Sequence, residues 1–329
     1  MGVTLTDAVL EPGLHRPWFS NTVKLGGFVL RQLGMLLAAL AVTTSTSAQT
    51  CEATGMTVQI LGSGGPGINP DRASTSYVVW VNGQSRILVD AGGGAFLRFG
   101  QARGRLEDLS LIAISHLHPD HVSDLPALLW LSDFARKEPL SIAGPSGGDV
   151  TPDFQTFLQR LFDEKAGAFP LLGGTLRGAG RGVPLNVMRL DTASPEPLTV
   201  FEQRGIRVTA LGVPHANVPT LAYKVEAGGA SVVFSSDQTG TNPRFTEFAR
   251  ASDMLVMHLT IGAGESSPLL REAHASPEVV GRVAGEANTR RLILSHIGQF
   301  DLQEAVAQVR KGYAGPVILS ADLQCVSVR

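Results

Sequence analysis

The stretch Ser115-His116-Leu117-His118-Pro119-Asp120-His121 governs how the rest of the chain is read. It completes a short apolar run, Leu111 to Ser115 (LIAIS), that reads as a β-strand. In extended backbone residues i and i+2 share a face, so His116 and His118 can converge on one cation. Pro119 then turns the chain and offers Asp120 and His121 to a second position as a helix begins. Imidazoles and carboxylates are the ligands zinc prefers when thiolates are absent. The bland alternative is a solvated loop that is rich in histidine by chance. It does not account for three histidines and an aspartate packed directly behind an apolar strand.

Working outward, residues 57–62 (TVQILG), 76–82 (SYVVWVN) and 85–90 (SRILVD) read as strands ahead of the motif. Behind it, Val122 to Arg136 has helical spacing, and Thr151-Pro152 opens a helix to about Phe162. Residues 166–187, rich in Gly and Pro, read as a long loop. The second half alternates again. Strands fall at 206–212, 220–226, 231–235, 254–258, 291–295 and 316–320, with helices near 243–250, 277–287 and 302–313. Strands come first in both halves, which points to an α/β protein with two mixed sheets packed face to face and helices outside.

These residues resemble the metallo-β-lactamase superfamily, whose hallmark is H-x-H-x-D-H after a strand. The resemblance runs from about Val58 to Val328 and is nearest to the ribonuclease Z and exported arylsulfatase branch of zinc phosphodiesterases. It implies a four-layer αβ/βα sandwich. ILGSGGP (60–66) looks like that branch's first strand and turn, and ILVDAGGG (87–94) like its second motif. There Asp90 would brace the metal loop without binding metal. His215 in VPHANVPTLAYKVE, Asp237 in VVFSSDQTG and His296 in LILSHIGQF match three further motifs, with Ala222, Ser236 and Gln238 departing from the usual residues. By this likeness His116, His118 and His215 hold one zinc, Asp120, His121 and His296 another, and Asp237 bridges them. Manganese or iron could stand in for zinc.

Two such cations can activate a shared water and clamp both oxygens of a displacement. Asp120 can also accept a proton from that water. His258 in VMHLTIG and His274 in REAHASPE resemble motif histidines that would donate to a leaving group. Leu259 stands where the likeness calls for glutamate, so a His–Glu relay is not expected there.

Residues 1–48 read as a secretory signal peptide: Arg31, the apolar run LGMLLAALAV (33–42), then small residues up to Ala48. Ten apolar residues cannot span a bilayer, so no transmembrane anchor is expected in the mature form. Residues 49–329 then form a single hydrolase domain, periplasmic or secreted. Export leaves two readings for Cys51 and Cys325: a disulfide joining the chain ends, or two free thiols.

Composition narrows the partners. With 43% hydrophobic residues and a net charge of −2, the 329-residue chain is neither disordered nor a nucleic-acid coat. Bacterial ribonuclease Z carries a long tRNA-gripping arm where Val225 to Ser231 here makes only a tight turn. The expectation is an exported dinuclear zinc hydrolase of a small anionic ester, an aryl sulfate or phosphodiester, with nucleic acid not expected as a partner. Arg177 and Arg181, flanked by Lys165 and Arg189, could orient the anion, and Ser63, Gly64 and Gly65 could line the cleft. A homodimer is compatible with this reading. The competing activities are a ribonuclease Z-type tRNA 3′ endonuclease and a lactonase or β-lactamase. The non-enzyme alternative is an inert metal-binding protein of the same fold.

Overall fold

The computed structural model describes Cys51 and residues 54–329, apart from 131–135, 137 and 179–181. The leader expected over residues 1–48 lies outside the described residues. The chain first lays down β1 (Met56–Gly62), β2 (Ser76–Val81), β3 (Gln84–Val89), β4 (Leu111–Ala113), β5 (Leu140–Pro145) and β6 (Leu185–Leu190). It then crosses to a second sheet of β7 (Leu198–Gln203), β8 (Ile206–Val213), β9 (Thr220–Ala227), β10 (Ala230–Phe234), β11 (Met254–His258), β12 (Leu292–Ser295) and β13 (Val317–Leu319). The last strand, β14 (Cys325–Ser327), returns to the first sheet. The orders are β14-β1-β2-β3-β4-β5-β6 and β13-β12-β11-β10-β9-β8-β7. Each sheet is antiparallel where hairpins build it and parallel where helices intervene, from β3 to β6 and from β10 to β13.

Side-chain alternation explains the layers. Val58, Ile60, Tyr77, Val79, Ile87 and Val89 face inward and meet Val208, Tyr223, Val225, Phe234 and Val256 of the other sheet. Their neighbours Val78, Leu88 and Ile112 point the opposite way, under helices Ala95–Gln101, Leu125–Trp130 and Phe154–Phe162. On the far side Val233, Leu255, Met257 and Leu294 sit under helices Pro243–Phe248, Pro277–Glu286 and Leu302–Gly312. Strands apolar on both faces are what a sheet covered on both sides requires. Each fully buried aliphatic side chain contributes about 1.5–3 kcal/mol. The expected sandwich of two mixed sheets with helices outside is the observed one.

Several local expectations are corrected. The helix read from Thr151-Pro152 is capped by Asp153, whose carboxylate accepts from Thr156 N at 3.0 Å. The helix read over 122–136 breaks at Ser123-Asp124 into Pro119–Val122 and Leu125–Trp130. Asp124 is drawn away at that break, because its Oδ2 accepts from Gly94 N and Phe96 N, each at 2.9 Å. The loop read over 166–187 contains a 3₁₀ turn (Pro170–Leu172), a helical turn (Gly174–Arg177) and the start of β6. Cys51 and Cys325 are joined by a disulfide across 274 residues, with Cα atoms 5.8 Å apart. Among the described residues no helix is long and apolar enough to cross a membrane.

Candidate active site

The candidate donors sit at or just beyond the ends of strands, on loops that emerge on one side of both sheets. His116 and His118 follow β4, and Asp120 and His121 open the helix Pro119–Val122. His215 follows β8, Asp237 follows β10, and His296 follows β12. Their loops are unusually wound: Asp90, Ala216, Ser236 and His296 have φ of +58°, +45°, +55° and +54°. Non-glycine residues rarely adopt this region, and such strain gathers at functional sites.

Three overlapping groups of ligand atoms form among the described residues, the third being Asp237, His258 and His296, which shares members with the other two. His116, His118, His215 and Asp237 bring one atom each within 4.8 Å of one another, and so do Asp120, His121 and His296. In the first group His116 Nε2 and His215 Nε2 lie 3.0 and 3.4 Å from His118 Nδ1. Asp237 touches the first two groups: Oδ2 is 3.7 Å from His215 Nε2 and 3.8 Å from His121 Nε2, while Oδ1 is 3.2 Å from His296 Nε2. Asp120 Oδ2 stands 3.8 and 3.7 Å from the Nε2 atoms of His121 and His296.

Each ring is aimed by what its other nitrogen holds. His215 Nδ1 donates to Ala273 O at 2.7 Å, and Thr75 Oγ1 holds His296 Nδ1. Asp90 accepts from Ser115 N at 2.7 Å and Ser115 Oγ at 2.8 Å, and it meets His121 Nδ1 at 2.8 Å. Asp90 thus holds Ser115 and His121 by hydrogen bonds and is a member of none of the ligand-atom groups. Gly65 backs onto His296, where a Cβ would lie 3.0 Å from its carbonyl oxygen. Ser63 is buried and bonded to Asp322 and Arg72, so it anchors this loop and does not line the cleft.

The electrostatics follow burial and neighbours. Burial, reinforced by His121, holds His116 well below the usual imidazole range. Burial also pulls His121 down, but the charge and hydrogen bond of Asp90 outweigh it and raise the ring to about 9. Asp237 is driven up by burial, yet His296 and the bond from His258 overcome that and leave it well below the carboxylate range. The buried Nε2 atoms of His121 and His296 have no hydrogen-bond partner. Orphaned imidazole nitrogens facing two carboxylates, beside a cluster of three imidazoles, fit divalent cations such as zinc.

The remaining candidates divide. His274, 8% exposed, points Nδ1 at Asp237 Oδ2 from 3.8 Å with no hydrogen bond. Burial lowers it to about 4. His258 joins the cluster but has no nitrogen to offer a leaving group, because Nδ1 meets Asp237 Oδ1 at 2.7 Å and Nε2 meets Tyr77 Oη at 3.1 Å. The proton-donor role expected of it does not fit. Arg177 ends a surface helical turn and pairs with Glu164. Arg181 lies outside the described residues. Tyr77, Thr75 and the Ala273 carbonyl went unforeseen, since each acts through contacts between segments far apart in sequence.

The Beta-lactamase superfamily domain matches residues 85–297. Ribonuclease Z of Mycobacterium marinum is 28% identical over 298 residues, covering 82% of this chain and 98% of that protein. Ribonuclease Z of Mycobacterium sp. (strain KMS) is 30% identical over 260 residues, covering 73% and 83%. Among solved structures, human tRNase Z, short form, aligns with a TM-score of 0.65 at 20% identity over 83% of this chain and 99% of its own. The metallo-beta-lactamase fold protein YhfI of Bacillus subtilis gives 0.62 at 22%, over 82% and 98%. These two show the fold alone.

The curated relatives overturn one expectation. Net charge of −2, expected export and the short turn at Val225 to Ser231 argue against nucleic acid as a partner, yet relatives that match 82% and 73% of this chain carry the name of a ribonuclease. A whole-chain charge averages over the surface and says little about phosphate engaged locally at a metal centre. By its matched domain and its relatives the chain is a metal-dependent hydrolase that belongs to the beta-lactamase superfamily, in the ribonuclease Z branch.

Proposed function

We propose that this chain hydrolyses phosphodiester bonds, with RNA as the substrate class, at a centre that takes two divalent cations. One observation carries the reading: two ligand groups share a single buried carboxylate, Asp237, in a chain that spans 98% of a relative named Ribonuclease Z. His116, His118, His215 and Asp237 would hold one cation, and Asp120, His121 and His296, with Asp237, the other. Zinc bound there supplies Lewis acidity, which generates a nucleophile from water at neutral pH and offsets phosphate charge. The chain's own residues do the rest. Asp90, Thr75 and Ala273 O fix three rings so that their Nε2 atoms face the cleft. Asp120, whose side chain keeps 17% exposure, is open to the cleft and placed to take a proton from water. His274, neutral when free, can hydrogen-bond a non-bridging phosphoryl oxygen from the rim.

A second reading, a small anionic ester such as an aryl sulfate or aryl phosphodiester, is favoured by one feature. Strands β9 and β10 are joined by Gly228-Gly229 alone, which leaves no room there for a substrate-gripping arm. Export is supported by the Cys51–Cys325 bond, since such bonds persist in oxidising compartments. The mass of the mature N-terminus, expected near residue 49, tests it.

A rate panel of precursor tRNA, bis(4-nitrophenyl) phosphate and 4-nitrophenyl sulfate, run with wild type and Asp120→Ala, tests the function. Specific cleavage of the RNA, lost on chelation, restored by zinc and lowered at least about 10³-fold in the variant, is expected. Sulfate turnover with intact RNA would select the second reading. Equal rates in the variant would sink both.

A further inference from the structure

His258 meets Asp237 through one nitrogen and Tyr77 through the other, and this pairing has a consequence for the metal centre. Asp237 Oδ1, an acceptor, lies 2.7 Å from His258 Nδ1, so that nitrogen carries the proton. The group facing the ring's other nitrogen, Nε2, is the Tyr77 hydroxyl at 3.1 Å. Tyr77 is itself fully buried on the inner face of β2, and its hydroxyl donates at 2.9 Å to Oγ of Ser295, the residue before His296, which pins the phenol oxygen against the imidazole. Burial holds that phenol far above its usual range, so it keeps its proton at every physiological pH.

We infer that Tyr77 is a positioning residue for the metal centre: through His258 it fixes the rotation of the Asp237 carboxylate and thereby apportions its two oxygens between the ligand groups. With His258 held in this orientation, Oδ1 is kept toward His258 and His296, and Oδ2 is left facing His215, His116 and His121. Without the phenol oxygen beside it, the imidazole can turn about its side-chain bonds, and the carboxylate loses the bond that orients it. Partners one shell beyond the ligands commonly change metal affinity by about 10- to 100-fold. The inference rests on Asp237 being a shared ligand, as proposed above.

The test uses the full-length protein as wild type, Tyr77→Phe, His258→Leu and the double variant. Each is stripped of metal and titrated with Zn²⁺ against a chromophoric chelator, and the visible spectrum of the Co²⁺-loaded form is recorded. Tyr77→Phe, which keeps the ring in the core, is expected to weaken the affinity of at least one site about tenfold and to alter the Co²⁺ spectrum, with activity returning at excess zinc. His258→Leu should show a similar loss, and Tyr77→Phe should add nothing to it, as for residues acting in one chain. Should Tyr77→Phe fail to fold, the His258→Leu titration decides alone. Wild-type affinity and spectrum in a folded Tyr77→Phe, unchanged affinity in His258→Leu, or additive losses in the double variant would each overturn the inference. Wild type that takes up no metal would instead overturn the reading of the centre itself.

Discussion

Ser236 stands one residue before Asp237 with φ of +55°, and its buried hydroxyl has no partner. Left-handed backbone costs a non-glycine residue about 1–2 kcal/mol, and an unsatisfied buried hydroxyl adds to that. Glycine would remove both penalties and give back roughly 0.5–1 kcal/mol in unfolded-chain entropy. Ser236→Gly is therefore expected to stabilise the fold by about 1 kcal/mol, raising the melting temperature by about 2 °C; a lower value would refute the account. Asp90 makes the opposite case. Its carboxylate accepts three hydrogen bonds from Ser115 and His121. Asparagine keeps its shape but turns one acceptor into a donor, facing two groups that also donate. Asp90→Asn should cost about 3 kcal/mol in urea unfolding of the metal-free protein and reduce metal uptake as well. The ligand types were legible in the sequence because six residues hold four of them. The partners that orient the rings were not, since Thr75, Tyr77 and Ala273 are brought to them only by tertiary pairing.

At the scale of elements, helices Pro277–Glu286 and Leu302–Gly312 cross so closely that a Cβ on Gly281 would lie 2.1 Å from Val309 O. Backbone cannot step aside as a flexible side chain can. Gly281→Ala should thus destabilise by about 1–3 kcal/mol in thermal or chemical unfolding, despite the better helix propensity of alanine. The helix Phe154–Phe162 depends on its Asp153 cap, and Asp153→Ala should cost about 1 kcal/mol. Hydrogen bonds from Thr156 hold that carboxyl below its usual range. Its contribution is present above the ordinary carboxylate pKa and is lost as pH falls through the lowered one, so wild type and variant should converge in stability in acid. Element legibility follows burial. Central strands such as β2, β9 and β11 announce themselves by apolar runs. Strands β6, β7 and β14 lie on sheet edges with mixed burial patterns, too weak in period to read. Strand β5 hid for another reason, since Ser141 interrupts its apolar residues and it ends in Gly144-Pro145.

Across the whole molecule, two halves meet at the ligands: His116, His118, Asp120 and His121 come from the first sheet's loops, and His215, Asp237 and His296 from the second's. Binding of metal to the folded state alone must therefore stabilise both sheets together, by about 2.7 kcal/mol when free zinc is 100 times its dissociation constant. The general class of the fold was legible because both halves alternate strands and helices around one motif. The pairing of β14 with β1 was not, because a three-residue strand at the far end of the chain carries no signal of its partner. The bond between Cys51 and Cys325 makes this closure covalent. Reducing it should cost up to about 4–5 kcal/mol on loop-entropy grounds, measured as the difference in unfolding free energy with and without reductant. It also alters how the protein meets mechanical load. A pull applied beyond the two cysteines runs through sulfur and bypasses the 274-residue span between them, so both sheets and the ligand loops stay out of the force path. In single-molecule stretching, the oxidised domain should behave as a short inextensible knot, and only the reduced one should unravel.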